Sequence, residues 1–274
     1  MGKKIAYLGP PGTFTEEAAL LYDKGAQLIS VPTIPGVASA VSSGMAEEGV
    51  VPIENSLEGS VTDTLDLLIH DSTLLICKEL VLPVKHHLLV KPGTEISDVK
   101  ILYSHPQSLG QCRRFVERIL PKAEVVAALS NAAAVQDMME ASIPAAAIGT
   151  GRAAELYGAD VLAKEIQDRS SNVTRFVVLA AEDHPPTGAD KTSVCFSFDD
   201  DRPGALVEVL QEFSQRNINL AKVESRPSKE SLGRYFFLID FEGHREDAPV
   251  SEALEGVRQK ASLFKIFGSY PRYK

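Results

Sequence analysis

Along residues 1–182, short apolar runs of strand length alternate with stretches whose apolar residues recur at helical spacing, and the pattern runs through twice. Parallel strands need long crossovers, and helices supply them. A chain with this rhythm therefore folds as mostly parallel sheets covered by helices. In the first pass Lys4–Leu8 reads as a strand. Thr13-Phe14-Thr15-Glu16 then carries the S/T-x-x-E pattern of a capping box, with helix to Tyr22. Residues 37–45 read as helix and 49–53 as strand. Val61, Leu65, Leu68 and Ile69 stand at i, i+4, i+7 and i+8, one buried stripe of a helix, and strands follow at 74–80 and 84–90. The second pass gives a strand at 101–104, a helix at 106–120, a strand at 124–128, a helix at 131–140, a strand at 145–148 and a helix at 152–157. The implied architecture is two lobes, about 1–80 with 165–182 and about 85–163, with a cleft between them. The late strand 173–179 returns to the first lobe.

Residues 182–190, Glu-Asp-His-Pro-Pro-Thr-Gly-Ala-Asp, punctuate the chain with two prolines, a glycine and three acids. Beyond them, 190–274 reads strand 192–198, helix 204–215, strands 219–224 and 234–241, helix 250–260 and strand 263–267. That order, βαββαβ, is the ferredoxin-like arrangement of a small α+β domain.

Charge and cysteine usage narrow the function classes. A formal net charge of −9 argues against a general nucleic-acid binder or a partner for anionic membranes. An anionic ligand would have to be held locally, by arginine or by helix N-termini. Cys77, Cys112 and Cys195 share no CxxC spacing, so reduced structural thiols are expected and no metal site is implied. No apolar run approaches the ~18 residues of a membrane span. The N-terminus enters a strand without a signal peptide, so a cytoplasmic protein is expected.

Polar side chains gather at the ends of the strands. Gly9-Pro10-Pro11-Gly12-Thr13-Phe14 offers a tight turn and a hydroxyl, and Glu54-Asn55-Ser56 through Ser60 packs carboxylates, an amide and hydroxyls into one decade. Ser104-His105-Pro106-Gln107-Ser108, Gly149-Thr150-Gly151-Arg152 and Ser170 to Phe176 complete the set. Ligands of open α/β sheets collect at the carboxyl ends of strands, and helix N-termini favour carboxylate or phosphate there. Each residue also has a plain structural reading: Ser or Thr at a helix start as a cap, Glu54 as a backbone cap, Arg175 as a salt-bridge partner. Thr174 and Arg175 are neighbours in a strand and point to opposite faces unless a bulge intervenes.

Four of these stretches carry a resemblance. Gly9-Pro10-Pro11-Gly12-Thr13-Phe14, Pro52-Ile53-Glu54-Asn55-Ser56 with Gly59-Ser60-Val61, Ser104-His105-Pro106-Gln107 with Gln111-Cys112, and Asn172-Val173-Thr174-Arg175-Phe176 resemble, in order, the signature of the prephenate dehydratases. Ser108 and Gly110 stand where that family commonly has alanine. Residues 190–274 resemble the ACT regulatory domain that follows the catalytic domain in the family. Gly204-Ala205-Leu206-Val207 and Glu224-Ser225-Arg226-Pro227 are similar to its phenylalanine-binding motifs. No helical chorismate mutase domain precedes the strand at Lys4, so the monofunctional form is expected.

The resemblance implies a two-lobed catalytic domain similar to periplasmic binding proteins (1–182) and a ferredoxin-like ACT domain (190–274). The implied reaction turns prephenate into phenylpyruvate by loss of carbon dioxide and of the ring hydroxyl, with no metal, flavin or nicotinamide. Thr174 is the family's essential threonine, and a threonine hydroxyl is a very weak acid; Glu54 and His105 stand as alternative sources or relays of the proton. Thr13, Asn55, Ser56, Ser104 and Gln107 are expected to orient the substrate, Arg175 to grip a carboxylate and Phe176 to exclude water. L-Phenylalanine is the expected feedback inhibitor, bound by Gly204, Ala205, Leu206, Asn219, Leu220, Glu224, Ser225 and Arg226. ACT domains commonly pair side by side, so a homodimer or homotetramer is expected. Arogenate dehydratase and a non-catalytic amino-acid sensor are the rival readings.

Overall fold

The computed structural model describes residues 2–199, 202–229 and 233–273. Three sheets organise them. The first has the strand order Gln27–Val31, Lys4–Leu8, Glu48–Asn55, Val173–Ala180, Leu75–Pro83, with Lys4–Leu8 parallel to both its neighbours. The second runs Asp160–Ala163, His87–Val90, Ala145–Gly149, Ile101–Ser104, Glu124–Ala127. Its last three strands are parallel, and its first two pair antiparallel. The third, Leu220–Pro227, Tyr235–Glu242, Asp190–Ser197, Leu263–Pro271, is antiparallel throughout.

The second sheet shows why its sequence folds this way. Ala145–Gly149 is buried at every position, as a central strand covered on both faces must be. Its small residues let the helix Asn131–Glu140 approach closely. A Cβ on Gly149 would come within 2.6 Å of Val135 and 2.7 Å of Leu89. Gly49 in the first sheet is confined likewise, 2.6 Å from Val37 of the helix Ile34–Ser42.

The described chain forms two compact units: residues up to Val61 with Leu80–Phe176, and Thr62–Glu79 with the residues from Val177 on. In the second, βαββαβ order appears as expected, and Val194, Phe196, Phe213, Ile239, Phe241 and Val257 pack between the sheet and its two helices. Residues 62–79 join this unit by polar contacts. Arg226 holds Asp66 at 2.6 Å, Lys265 donates to the carbonyls of Ile69 (3.2 Å) and Ser72 (2.7 Å), and Lys191 meets Glu79 at 2.8 Å. Here the α-turns of Thr62–Asp66 pass into a π-helical turn at Leu67–Asp71. No helix among the described residues is long and apolar enough to cross a membrane.

Three local departures stand out. The expected helix 106–120 breaks at Cys112 (φ −117°, ψ 17°) into Pro106–Gln111 and Arg113–Ile119. The helix expected at 37–45 begins instead at Ile34, because Thr33 accepts the N–H of Gly36 and Pro35 sits in the first turn. Two further strands, Gln27–Val31 and Asp160–Ala163, lie at sheet edges.

Candidate active site

Three helices begin at the wall of one cavity of about 330 Å³ in the first unit. Thr13, Phe14 and Thr15 stand at the start of Phe14–Tyr22; His105, Gln107 and Ser108 at that of Pro106–Gln111; Ser130 and Asn131 at that of Asn131–Glu140. Strands complete the wall with Asn55, Thr174 and Phe176. Among the described lining residues there is no Asp, Glu, Lys or Arg. What the cavity offers an anion is helix N-termini and neutral donors, in place of charged side chains.

The turn after Glu48–Asn55 fixes the chemistry of Asn55. Its Oδ1 accepts the backbone N–H of Leu57 (3.0 Å) and of Glu58 (3.1 Å), so its amino group must face the other way. There Nδ2 donates to Thr174 Oγ1 (2.9 Å) and Asn172 Oδ1 (2.8 Å). Thr174 Oγ1 thus serves as acceptor within the protein, and its hydroxyl hydrogen is left for the cavity. Asn172 passes the chain onward, its Nδ2 donating to Gln111 Oε1 at 3.1 Å, where His86 Nε2 also bonds at 2.9 Å. His86 is 1% exposed. Burial holds its pKa below the ordinary 6.5.

Around this chain the expected residues separate. Thr13, Asn55, His105, Gln107, Thr174 and Phe176 share the cavity wall. The capping box does not form: Glu16 takes the N–H of Gly12 at 2.5 Å, and Thr13 caps nothing with its side chain. Its hydroxyl instead donates to Leu8 O at 3.4 Å. His105 Nδ1 accepts the N–H of Gln107 at 3.3 Å, which places the proton of the neutral ring on Nε2.

Glu54 and Arg175, expected in the cleft, are instead paired with each other at 3.0 Å and stand outside the cavity wall. Strand alternation is the cause: Thr174 and Phe176 take the cavity face, so Arg175 takes the other. Ser56 and Ser104 also stand outside it. Ser56 Oγ accepts the N–H of Val173 (3.0 Å), tying the Asn55 turn to the threonine strand, and Ser104 Oγ donates to the carbonyl of His105 (3.0 Å). Sequence reasoning left His86, Gln111, Asn172, Ser130 and Asn131 out of the site. Gln111 and Asn172 lay within motifs already singled out; for His86 the only signal was a histidine beside an apolar strand.

A second cavity of about 150 Å³ lies in the other unit, beside the start of the helix Ala205–Ser214. Gly204, Ala205 and Leu206 line it with Phe198, Tyr235 and Phe237. Gly204 has φ +90°, a conformation that favours glycine. Asn219, Leu220, Glu224, Ser225 and Arg226 do not line it. They lie on or before the edge strand Leu220–Pro227, where Glu224 pairs with Lys222 at 3.0 Å and Arg226 with Asp66 at 2.6 Å.

The family models and the curated relatives agree on one family. The family model described as prephenate dehydratase matches residues 5–184, and that of the ACT domain matches 200–259. A bifunctional chorismate mutase/prephenate dehydratase of Pseudomonas aeruginosa is 43% identical over 98% of this chain, which spans 73% of that protein. A prephenate dehydratase of Mycolicibacterium vanbaalenii is 42% identical over 97% of this chain and 90% of its own length. The crystal structure of a prephenate dehydratase from Arthrobacter aurescens in complex with L-Phe is 39% identical. It superposes with a TM-score of 0.90 over 98% of this chain and 90% of that one.

Proposed function

The chain belongs to the prephenate dehydratase family, and we propose that it converts prephenate to phenylpyruvate under feedback control by L-phenylalanine. In that reaction the bond between the ring and its carboxylate breaks, and carbon dioxide departs. The electron pair enters the ring, and the C–O bond across the ring breaks with its own pair on oxygen. One proton turns the departing hydroxide into water. Aromatisation supplies the driving force, so the protein has only to hold two carboxylates and ease the departure of one hydroxyl.

The observation that carries this reading is the Asn55–Thr174 pair at the mouth of three helix N-termini. The helix starts receive the carboxylates. Thr174 points its hydrogen at the leaving oxygen, and donation from Asn55 into Thr174 Oγ1 makes that hydrogen a better donor. His105, with its proton on Nε2 and its ring on the wall, is the better-placed of the two relays, since Glu54 is engaged by Arg175. Gln107 orients the substrate, and Thr13 and Phe176 shape and dry its seat.

The regulatory reading rests on the second cavity. The positive end of the helix Ala205–Ser214 suits an amino acid carboxylate, and Phe198, Tyr235 and Phe237 suit an aromatic side chain. Residues 1–182 then form the catalytic domain and 190–274 the regulatory one. Side-by-side pairing through the edge strand Leu220–Pro227, in a cytoplasmic homodimer or homotetramer, would bring Asn219, Leu220, Glu224 and Ser225 to a partner's effector. The test is phenylpyruvate formation from prephenate by the purified chain, with and without millimolar phenylalanine, and with arogenate as the alternative substrate. Turnover of prephenate that phenylalanine suppresses is the expected result. Preference for arogenate, or no turnover of either, overturns the reading.

A further inference from the structure

One buried group on the cavity wall is unused by the chemistry above. His86 lines the cavity, and its ring stands edge-on to Phe14 at 5.6 Å between centroids. The polarity of its hydrogen bonds leaves no choice of tautomer. Two backbone N–H groups pin Asn55 Oδ1; Asn55 donates to Asn172; Asn172 donates to Gln111 Oε1. That oxygen can only accept, so His86 Nε2 is the N–H and Nδ1 carries the lone pair. Nδ1 is buried and has no hydrogen-bond partner among the described residues. Burial lowers the pKa of the ring, which keeps Nδ1 unprotonated near neutral pH. A buried acceptor without a donor is costly to a protein, and in a residue that lines a cavity a ligand's donor satisfies it once the wall shifts to admit the ligand.

Prephenate near neutral pH carries two carboxylates, a ketone and one hydroxyl. The hydroxyl is its only hydrogen-bond donor. We propose that His86 Nδ1 accepts the hydrogen of the substrate's ring hydroxyl while Thr174 donates to the same oxygen. The leaving group is then recognised by one donor and one acceptor, which fixes its rotation about the C–O bond and presents its lone pair to Thr174. His86 moves no proton: the hydroxyl leaves with its own hydrogen. This role rests on the prephenate reading and adds to it the residue that distinguishes a ring bearing a hydroxyl from one without.

The two ring nitrogens can be separated by substitution. In His86→Gln the amide nitrogen reaches the position of Nε2 and keeps the bond to Gln111, but nothing replaces Nδ1. In His86→Asn the amide oxygen stands near the position of Nδ1, and the bond to Gln111 is lost. Each variant is assayed for kcat/KM with prephenate and for competitive inhibition by phenylpyruvate, which lacks the hydroxyl. His86→Gln is expected to lower kcat/KM about tenfold to a hundredfold, the loss of one buried hydrogen bond, while the phenylpyruvate inhibition constant stays within about twofold. His86→Asn is expected to retain more of kcat/KM than His86→Gln. Parental kcat/KM in His86→Gln, an inhibition constant that rises in step with the loss, or His86→Asn below His86→Gln would each overturn the proposal. A parent that does not turn over prephenate removes the dehydratase reading itself, whereas a parent that does, with variants that fail to divide, removes only His86.

Discussion

Replacing Asn55 by aspartate changes one amino group to an oxygen, adds a negative charge and leaves the shape alone, and it should do more harm than replacement by alanine. The retained oxygen still accepts from Leu57 and Glu58, so the turn keeps its anchor. The new oxygen faces Thr174 Oγ1 and Asn172 Oδ1 across distances of 2.9 and 2.8 Å where donation occurred before. The hydrogen nearest to relieve this is that of Thr174, which then turns from the cavity toward Asp. The donor meant for the leaving group is lost, a loss like that of one oxyanion-hole donor, about 10²–10³ in kcat. Asn55→Ala also removes the donation to Thr174 but leaves its hydrogen free to turn to the substrate, and about tenfold in kcat is expected. If the helix N-termini hold the carboxylates, KM should change by less than about fivefold in Asn55→Ala, and should rise further in Asn55→Asp, whose added negative charge repels a substrate with two carboxylates. Steady-state phenylpyruvate formation measures these values, with urea unfolding to certify that each variant is folded. An aspartate variant with kcat within about threefold of the parent, or above that of the alanine variant, refutes the hydrogen-bond polarity derived for the site.

Three further outcomes follow from the same structure. Burial lowers the pKa of His86 and of His87 from the ordinary 6.5, so the unfolded chain binds more protons than the folded one as pH falls. Their stability is fully present above that value and is lost as pH falls through it toward the folded values. The urea midpoint should therefore drop between pH 7.5 and 5.5, and His86→Asn should flatten the drop; a midpoint unchanged over that interval contradicts the burial of the two rings. Burial pushes the Cys112 and Cys195 thiols up to about 12, so the native protein should resist a thiol reagent at pH 8 at both and react after denaturation. Gly149→Ala, whose Cβ would stand 2.6 Å from Val135, should cost about 1–3 kcal/mol in urea or thermal unfolding, and a neutral effect would mean that the helix can shift.

The alternation of strand and helix was readable because burial on both faces leaves apolar runs that polar turns interrupt. Ala145–Gly149 and Val173–Ala180 are such runs. Gln27–Val31 and Asp160–Ala163 were not read, since an edge strand is half exposed and its sequence carries a weaker pattern. In the site, the opposed directions of Thr174 and Arg175 were legible from strand geometry alone. The partner of Arg175 was not, because Glu54 lies 121 positions away by subtraction of the two residue numbers. The capping-box pattern at Thr13 misled for a local reason: Glu16 found the N–H of Gly12 and left the threonine unused as a cap. His86 escaped because its meaning resides in Gln111 and Asn172, distant neighbours that only the folded chain supplies. Arg226 sat in a motif that suggested a ligand, and its guanidinium holds Asp66.

The central claim is that the hydroxyl of Thr174, held in the cavity by Asn55, drives the departure of the substrate's hydroxyl. Thr174→Ala removes that hydroxyl and little else. Phenylpyruvate formation and calorimetric binding of prephenate, measured on this variant beside the parent, test the claim directly. The account predicts turnover lost by about 10³ or more with prephenate affinity within about fivefold of the parent. Near-parental turnover in Thr174→Ala would contradict it.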